Sequence, residues 1–208
     1  GFHNMRWRFQ QWDESVARNA AGRVDSCLEE IEWIESRRKE MLDFATLIEN
    51  GVIPCRVTHN DTKISNILFD AKTKEVLCAI DLDTVMSASV LNDVGDALRC
   101  YTNTGAEDAQ DLSTVSMSLE MFTAYIRGYL SEMGSSICPA ELDNLAFSGR
   151  YITFEQVLRF LMDYLDGDTY YKTKYPEHNL VRARAQYKLL QSMEAQFPQM
   201  CEIVAALR

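Results

Sequence analysis

The sequence has no basic excess. Its 21 lysines and arginines are outnumbered by 31 aspartates and glutamates, giving a net charge of −10 and a pI near 4.8. A nucleic-acid surface would show a basic patch, so the charge argues against that class of partner, while ATP can still bind an acidic protein because Mg²⁺ bridges carboxylates and phosphates. No apolar run approaches membrane-spanning length and no signal peptide is visible, so the cytoplasm is the expected compartment. Six cysteines, at 27, 55, 78, 100, 138 and 201, include no C-x-x-C pair, which removes a zinc site or a disulfide frame. Several sit in apolar runs, as Cys78 does in Val76-Leu77-Cys78-Ala79-Ile80, so reduced, buried thiols are expected. Three histidines, at 3, 59 and 178, are too few and too dispersed for a metal cluster. No two of the nine glycines lie within two residues of each other, so no G-x-G is present.

What is present is ordinary globular material. Of the 208 residues, 47% are apolar and 25% charged, enough for a sizeable core in one domain or two small ones. Residues 1–12, aromatic and basic, read as a connector. From about Asp13 to Asn50 the pattern is helical, with Val24, Leu28, Ile31, Ile34, Met41, Leu42, Ala45 and Ile48 at three- and four-residue steps. Asn50-Gly51 ends that run. Asn66–Asp70 and Glu75–Ile80 read as two strands joined by a tight turn. Later segments are helical: one from Asn92 to Tyr101, a long one over Glu107–Met133, one opened by Pro139 with a break near Gly149, and a last over Asn179–Phe197. The fold class is therefore α+β, mostly helical.

The chemistry concentrates between residues 57 and 83. His59, Asp61 and Asn66 reproduce the spacing H-x-D-x-x-x-x-N of a phosphoryl-transfer catalytic loop, and Asp81 follows fifteen residues after Asn66. Phosphoryl transfer needs a group that orients and deprotonates the attacking hydroxyl, and oxygen ligands for Mg²⁺ on the triphosphate. Asp61 suits the first task, and Asn66 and Asp81 suit the second. Lys63 places a positive charge near the transferring group. The competing reading makes Asp61 and Asn66 turn residues and Asp81 and Asp83 helix caps. It accounts for polar residues in loops but not for their intervals. The mechanism requires Asn66 and Asp81 to meet at neighbouring strand ends.

The stretch His59-Asn60-Asp61-Thr62-Lys63-Ile64-Ser65-Asn66 with Ile80-Asp81-Leu82-Asp83 resembles the aminoglycoside phosphotransferase and choline kinase superfamily, which shares the protein-kinase-like fold. Arg56 to Lys63, Gly95-Asp96-Ala97-Leu98-Arg99 and the segment from Glu155-Gln156 to Gly167-Asp168 look most like the N-acetylhexosamine 1-kinases. The resemblance implies transfer of the ATP γ-phosphoryl group to the anomeric hydroxyl of N-acetylglucosamine or N-acetylgalactosamine, with ATP and Mg²⁺ as cofactors. It implies Asp61 as catalytic aspartate, Asn66 and Asp81 as Mg²⁺ ligands, His59 as a structural support, and Asp96 as a brace for the catalytic loop. Asp83 stays between a metal role and a cap. Arg159 and Tyr170 fall where those kinases contact their sugar; otherwise they are a helix-face charge and a packed loop ring.

Kinases of this fold also carry a glycine-rich loop and a strand lysine in an N-terminal lobe. Neither is found here, since Lys39 alone precedes the catalytic loop and sits in a helical pattern. The expectation is a C-terminal lobe, 13–208, with its catalytic loop at 57–83 and a helical substrate subdomain at 92–208, its partner being a missing N-terminal lobe. Choline, homoserine or an aminoglycoside remain alternative acceptors, with Asp163, Asp166 and Asp168 available to a cation, and a non-catalytic binding module is the remaining rival.

Overall fold

Asn4 accepts the Trp7 N–H on its side chain at 2.9 Å, and this cap starts helix α1, Met5–Arg18. The computed structural model describes residues 2–208. Met5, Phe9 and Trp12, four and three residues apart, turn one face of α1 into the core, where all three are buried. The expected connector is thus, from residue 5 onward, a core helix. Its basic residues obscured an apolar face with ordinary helical spacing.

Asn19, left-handed at φ 44, ends α1. The single helical run expected to Asn50 is divided among the end of α1, α2 (Leu28–Glu35) and α3 (Arg38–Glu49). Ile34, Met41 and Ala45 are buried as the stripe required, whereas Leu28 is exposed. Gly51, at φ 70, follows α3 in the conformation that glycine adopts without strain.

Two small antiparallel sheets follow. Strand β1 (Arg56–Thr58) pairs with β4 (Met86–Ala88), and between them in sequence β2 (Ile67–Phe69) pairs with β3 (Val76–Ala79), Ile67 opposite Ala79. The β2–β3 turn is tied by the Asp70 carboxylate, which accepts the N–H groups of Lys72 and Thr73, each at 2.8 Å. Every residue from 71 to 80 is exposed, because among the described residues no layer covers this hairpin. Cys78 is therefore exposed, not buried as its apolar run suggested. Cys55 and Cys201 are exposed as well, Cys27 is buried, and all six thiols are free.

The remainder is helical: α4 (Val90–Tyr101), α5 (Leu119–Met133), α6 (Pro139–Asp143), α7 (Leu145–Leu165), α8 (His178–Ala195) and α9 (Phe197–Ala206). The helix expected from Glu107 begins only at Leu119. Before it, the Asp111 side chain caps a short 3₁₀ turn and the backbone of Asn103 pairs with that of Met117, so a cap and a β-bridge stand in place of the helical ladder. The break expected near Gly149 falls instead at Asn144, the junction of α6 and α7.

Helix α7 is the axis of the core and packs against α1, α4 and α8. Gly95 of α4 lets the two backbones touch. A Cβ there would lie 2.4 Å from the Ser148 carbonyl oxygen and 2.5 Å from Ile152 Cγ1. Gly149 serves the same crossing from the α7 side, 3.3 Å from Leu98 if given a Cβ. Among the described residues no helix is long and apolar enough to cross a membrane.

Candidate active site

The loop after β1 is held by α4. In the first turn of that helix the Asp93 carboxylate accepts the His59 N–H at 2.9 Å and the Asn60 N–H at 2.6 Å. The Asp93 carbonyl takes the Thr62 hydroxyl at 2.7 Å, and Tyr101 donates its hydroxyl to the Thr62 carbonyl at 2.5 Å. Burial pushes the Asp93 carboxyl above its usual range, although the two amide bonds pull the other way. Asp96, expected to brace this loop, makes no hydrogen bond to it among the described residues. One of its oxygens accepts from Arg99, three residues on, at 2.8 Å, and the other is buried without a partner among the described residues. The brace is Asp93, because the rotation of α4 turns residue 93 toward the loop and residue 96 toward Arg99.

His59 holds the loop from within. Its Nδ1 accepts the Asp61 N–H at 3.3 Å, which leaves the ring proton on Nε2 to donate to the Ile80 carbonyl at 2.9 Å. That bond ties the loop after β1 to the residue that follows β3. Asn60 adopts φ 64 and donates its side-chain amide to the Thr84 carbonyl at 2.9 Å.

Asp61 sits at the centre of a polar cluster. Its Oδ2 accepts from Lys63 Nζ at 2.7 Å and from Asn66 Nδ2 at 2.8 Å. Burial opposes charge on Lys63, but the Asp61 carboxylate outweighs it, with Asp81 and Asp96 adding to the effect, so the ammonium is held more firmly than usual. The Ile80 N–H donates to the Asn66 carbonyl at 2.9 Å, which sets Asn66 and Asp81 at adjacent strand ends. Asp81 takes a left-handed φ of 63. Its carboxyl is raised chiefly by the neighbouring Asp83 carboxylate.

This donor set suits a hard cation. Asn66 spends its amide nitrogen on Asp61, leaving the amide oxygen as a ligand, and Asp81 and Asp83 bring two mutually repelling carboxylates together. Among the described residues no three His, Cys, Asp or Glu side chains form a cage. An amide oxygen and carboxylates are the type of oxygen ligand that Mg²⁺ takes.

A cleft of about 260 Å³ opens beside Asp61 and Lys63, and Arg159 and Tyr170 line it together with Arg99 and Arg182. The Arg159 guanidinium lies 5.4 to 5.9 Å from the centres of the Phe2, Tyr171 and Tyr170 rings. Tyr170 is largely exposed. The acidic residues available in principle to a cationic acceptor are engaged elsewhere. Asp163 accepts the N–H groups of Thr169, Tyr170 and Tyr171, Asp166 pairs with Arg18, and Asp168 with Arg23. Arg99, Arg182 and the bracing Asp93 were not singled out from sequence. The Asp93 position had a signal, a carboxylate in the first turn of the helix that follows the polar stretch after one short strand.

A model of the phosphotransferase enzyme family, APH, matches residues 2–131, a span that holds His59, Asp61, Asn66, Asp81 and Asp93. The match covers more than half of the chain, and the protein belongs to this phosphotransferase family.

Proposed function

We propose that the protein is an ATP-dependent, Mg²⁺-requiring small-molecule kinase that phosphorylates the anomeric hydroxyl of N-acetylglucosamine or N-acetylgalactosamine. The observation that carries this reading is the cleft where Asp61 meets Arg159 and Tyr170. Asp61 orients the acceptor hydroxyl and takes its proton. Lys63, paired with Asp61, supplies positive charge where negative charge gathers during transfer. Asn66 and Asp81, with Asp83 beside them, hold Mg²⁺ by oxygen. The metal, when bound, neutralises the phosphate oxygens and fixes their direction. Arg159 donates hydrogen bonds to the sugar while Tyr170 offers a ring face.

A neutral sugar is favoured over choline or an aminoglycoside by charge. Lys63 and three arginines line the cleft against two carboxylates, Asp61 and Glu107, of which Glu107 is paired with Arg99, and Asp163, Asp166 and Asp168 are tied up in capping and ion pairs. The test is phosphoryl transfer from ATP on the native protein across N-acetylhexosamines, unmodified hexoses, choline, homoserine and an aminoglycoside. N-acetylhexosamines are expected to turn over with the highest kcat/KM, and a preference for choline would sink the assignment. Asp61→Ala is expected to lower kcat by about 10²–10⁴ with the fold intact.

A further inference from the structure

His3 is buried between two oxygens that can only accept. Its Nδ1 lies 2.7 Å from Glu155 Oε2 on α7, and its Nε2 lies 3.0 Å from the Asn60 carbonyl. The ring side chain is 5% exposed and that of Glu155 is 2%. A neutral imidazole has one N–H. It would satisfy one oxygen and turn a lone pair on the other in a place water does not reach. Only the imidazolium donates to both. Glu155 is fixed for this task, since Arg8 Nε donates to its other oxygen at 3.2 Å.

The Asn60 carbonyl belongs to the peptide that leads into Asp61. The Asn60 N–H, on the preceding peptide, is already held by Asp93. Residue 60 is thus gripped by α4 through its nitrogen and by His3 through its oxygen, and it sits at a left-handed φ of 64. We propose that His3, as an imidazolium seated on Glu155, is a positioning residue that fixes the Asn60–Asp61 peptide and lets it move when deprotonated. This rests on Asp61 being the group that receives the acceptor proton.

The charged groups around the ring favour its charge on balance. Burial opposes protonation, but Glu155 on α7 outweighs it, with a smaller contribution from Asp96 on α4. Asp93, also on α4, feels the His3 charge. Arg8 on α1 and Arg159 on α7 act on Glu155. A raised proton affinity means that the grip is complete below the ordinary histidine value of 6.5 and is lost as pH climbs through the higher folded value.

The test is histidine-selective ¹⁵N NMR on the 208-residue chain, with His3 assigned by its loss in His3→Gln. Both His3 ring nitrogens should be protonated at neutral pH, and the Asp61 amide resonance, whose N–H also faces His59, should carry a step that follows the His3 ring and disappears in His3→Gln. Glu155→Gln should lower that titration by about one pH unit or more, a tenfold change or greater. In the native protein the alkaline limb of kcat should shift with it while KM for the acceptor stays within about twofold. His3→Gln, which keeps one donor, should flatten that limb. A singly protonated ring at neutral pH, or an Asp61 amide that ignores the ring, overturns the proposal, and wild-type spectra decide this even if Glu155→Gln does not fold. A lower kcat with an unmoved alkaline limb also overturns it, by marking His3 as structural only. Absence of any phosphoryl transfer would count against the kinase reading alone, because the NMR arm does not depend on turnover.

Discussion

Helix α7 and the β2–β3 hairpin follow opposite rules. In α7, 17 of 21 residues are buried, including Phe154, Glu155 and Asp163. In the hairpin, Val76, Leu77 and Ile80 are apolar yet exposed. The helix supplies stability. The hairpin carries two of the proposed metal ligands at its open end and is attached to the body by polar bonds, such as that from His59 to the Ile80 carbonyl. The difference teaches that the chemistry is held here by directional bonds at the edge of a hydrophobic body, not by burial of the reactive groups.

The comparison breaks most visibly if the core is emptied. Phe154→Ala should destabilise by about 3–5 kcal/mol, read as a drop in the denaturation midpoint. Gly95→Ala comes next, at roughly 1–3 kcal/mol, because the new methyl meets the α7 backbone where nothing can yield cheaply. Asp93→Ala should cost about 1–3 kcal/mol through two unpaired loop amides and lower kcat by as much as ~10²-fold, whereas Asp96→Asn should leave the loop amides unmoved in NMR spectra.

Acid sharpens the contrast. Burial alone would raise the Glu155 carboxyl, but His3, Arg159 and Arg8 hold it down to about 2 from an ordinary 4.5. Its folded value is the lower one, so its contribution is complete above 4.5 and is lost as pH falls toward 2. Melting temperature followed over that window should decline more steeply in the wild type than in Glu155→Gln. The smallest effect belongs to the hairpin: Val76→Ala should stay within about 0.5 kcal/mol, and a larger loss would mean that something covers that face.

Local pattern made part of this legible. The strands around residues 67–79 and the interval from His59 to Asn66 need only neighbours in sequence, and the structure has the paired strands. Asp93 and Asp96 were separable only by the rotation of α4, which is set by its crossing with α7, a long-range contact. Met5, Phe9 and Trp12 had helical spacing that the surrounding arginines hid. Cys78 misled because an apolar run marks burial only when another layer exists to lie upon it. The proximity of Arg159 and Tyr170 to Asp61 came from resemblance, since no spacing links residues about a hundred positions apart.

The contact at Gly95 has a consequence for how such a protein can change over time. Because α4 rests directly on the main chain of α7, the reach from the molecular axis to Asp93, and through it to Asp61, is calibrated by the thickness of two backbones. Side chains lining the cleft can be exchanged to suit a new acceptor without altering that gauge. One added methyl at residue 95 would alter it for every acceptor at once.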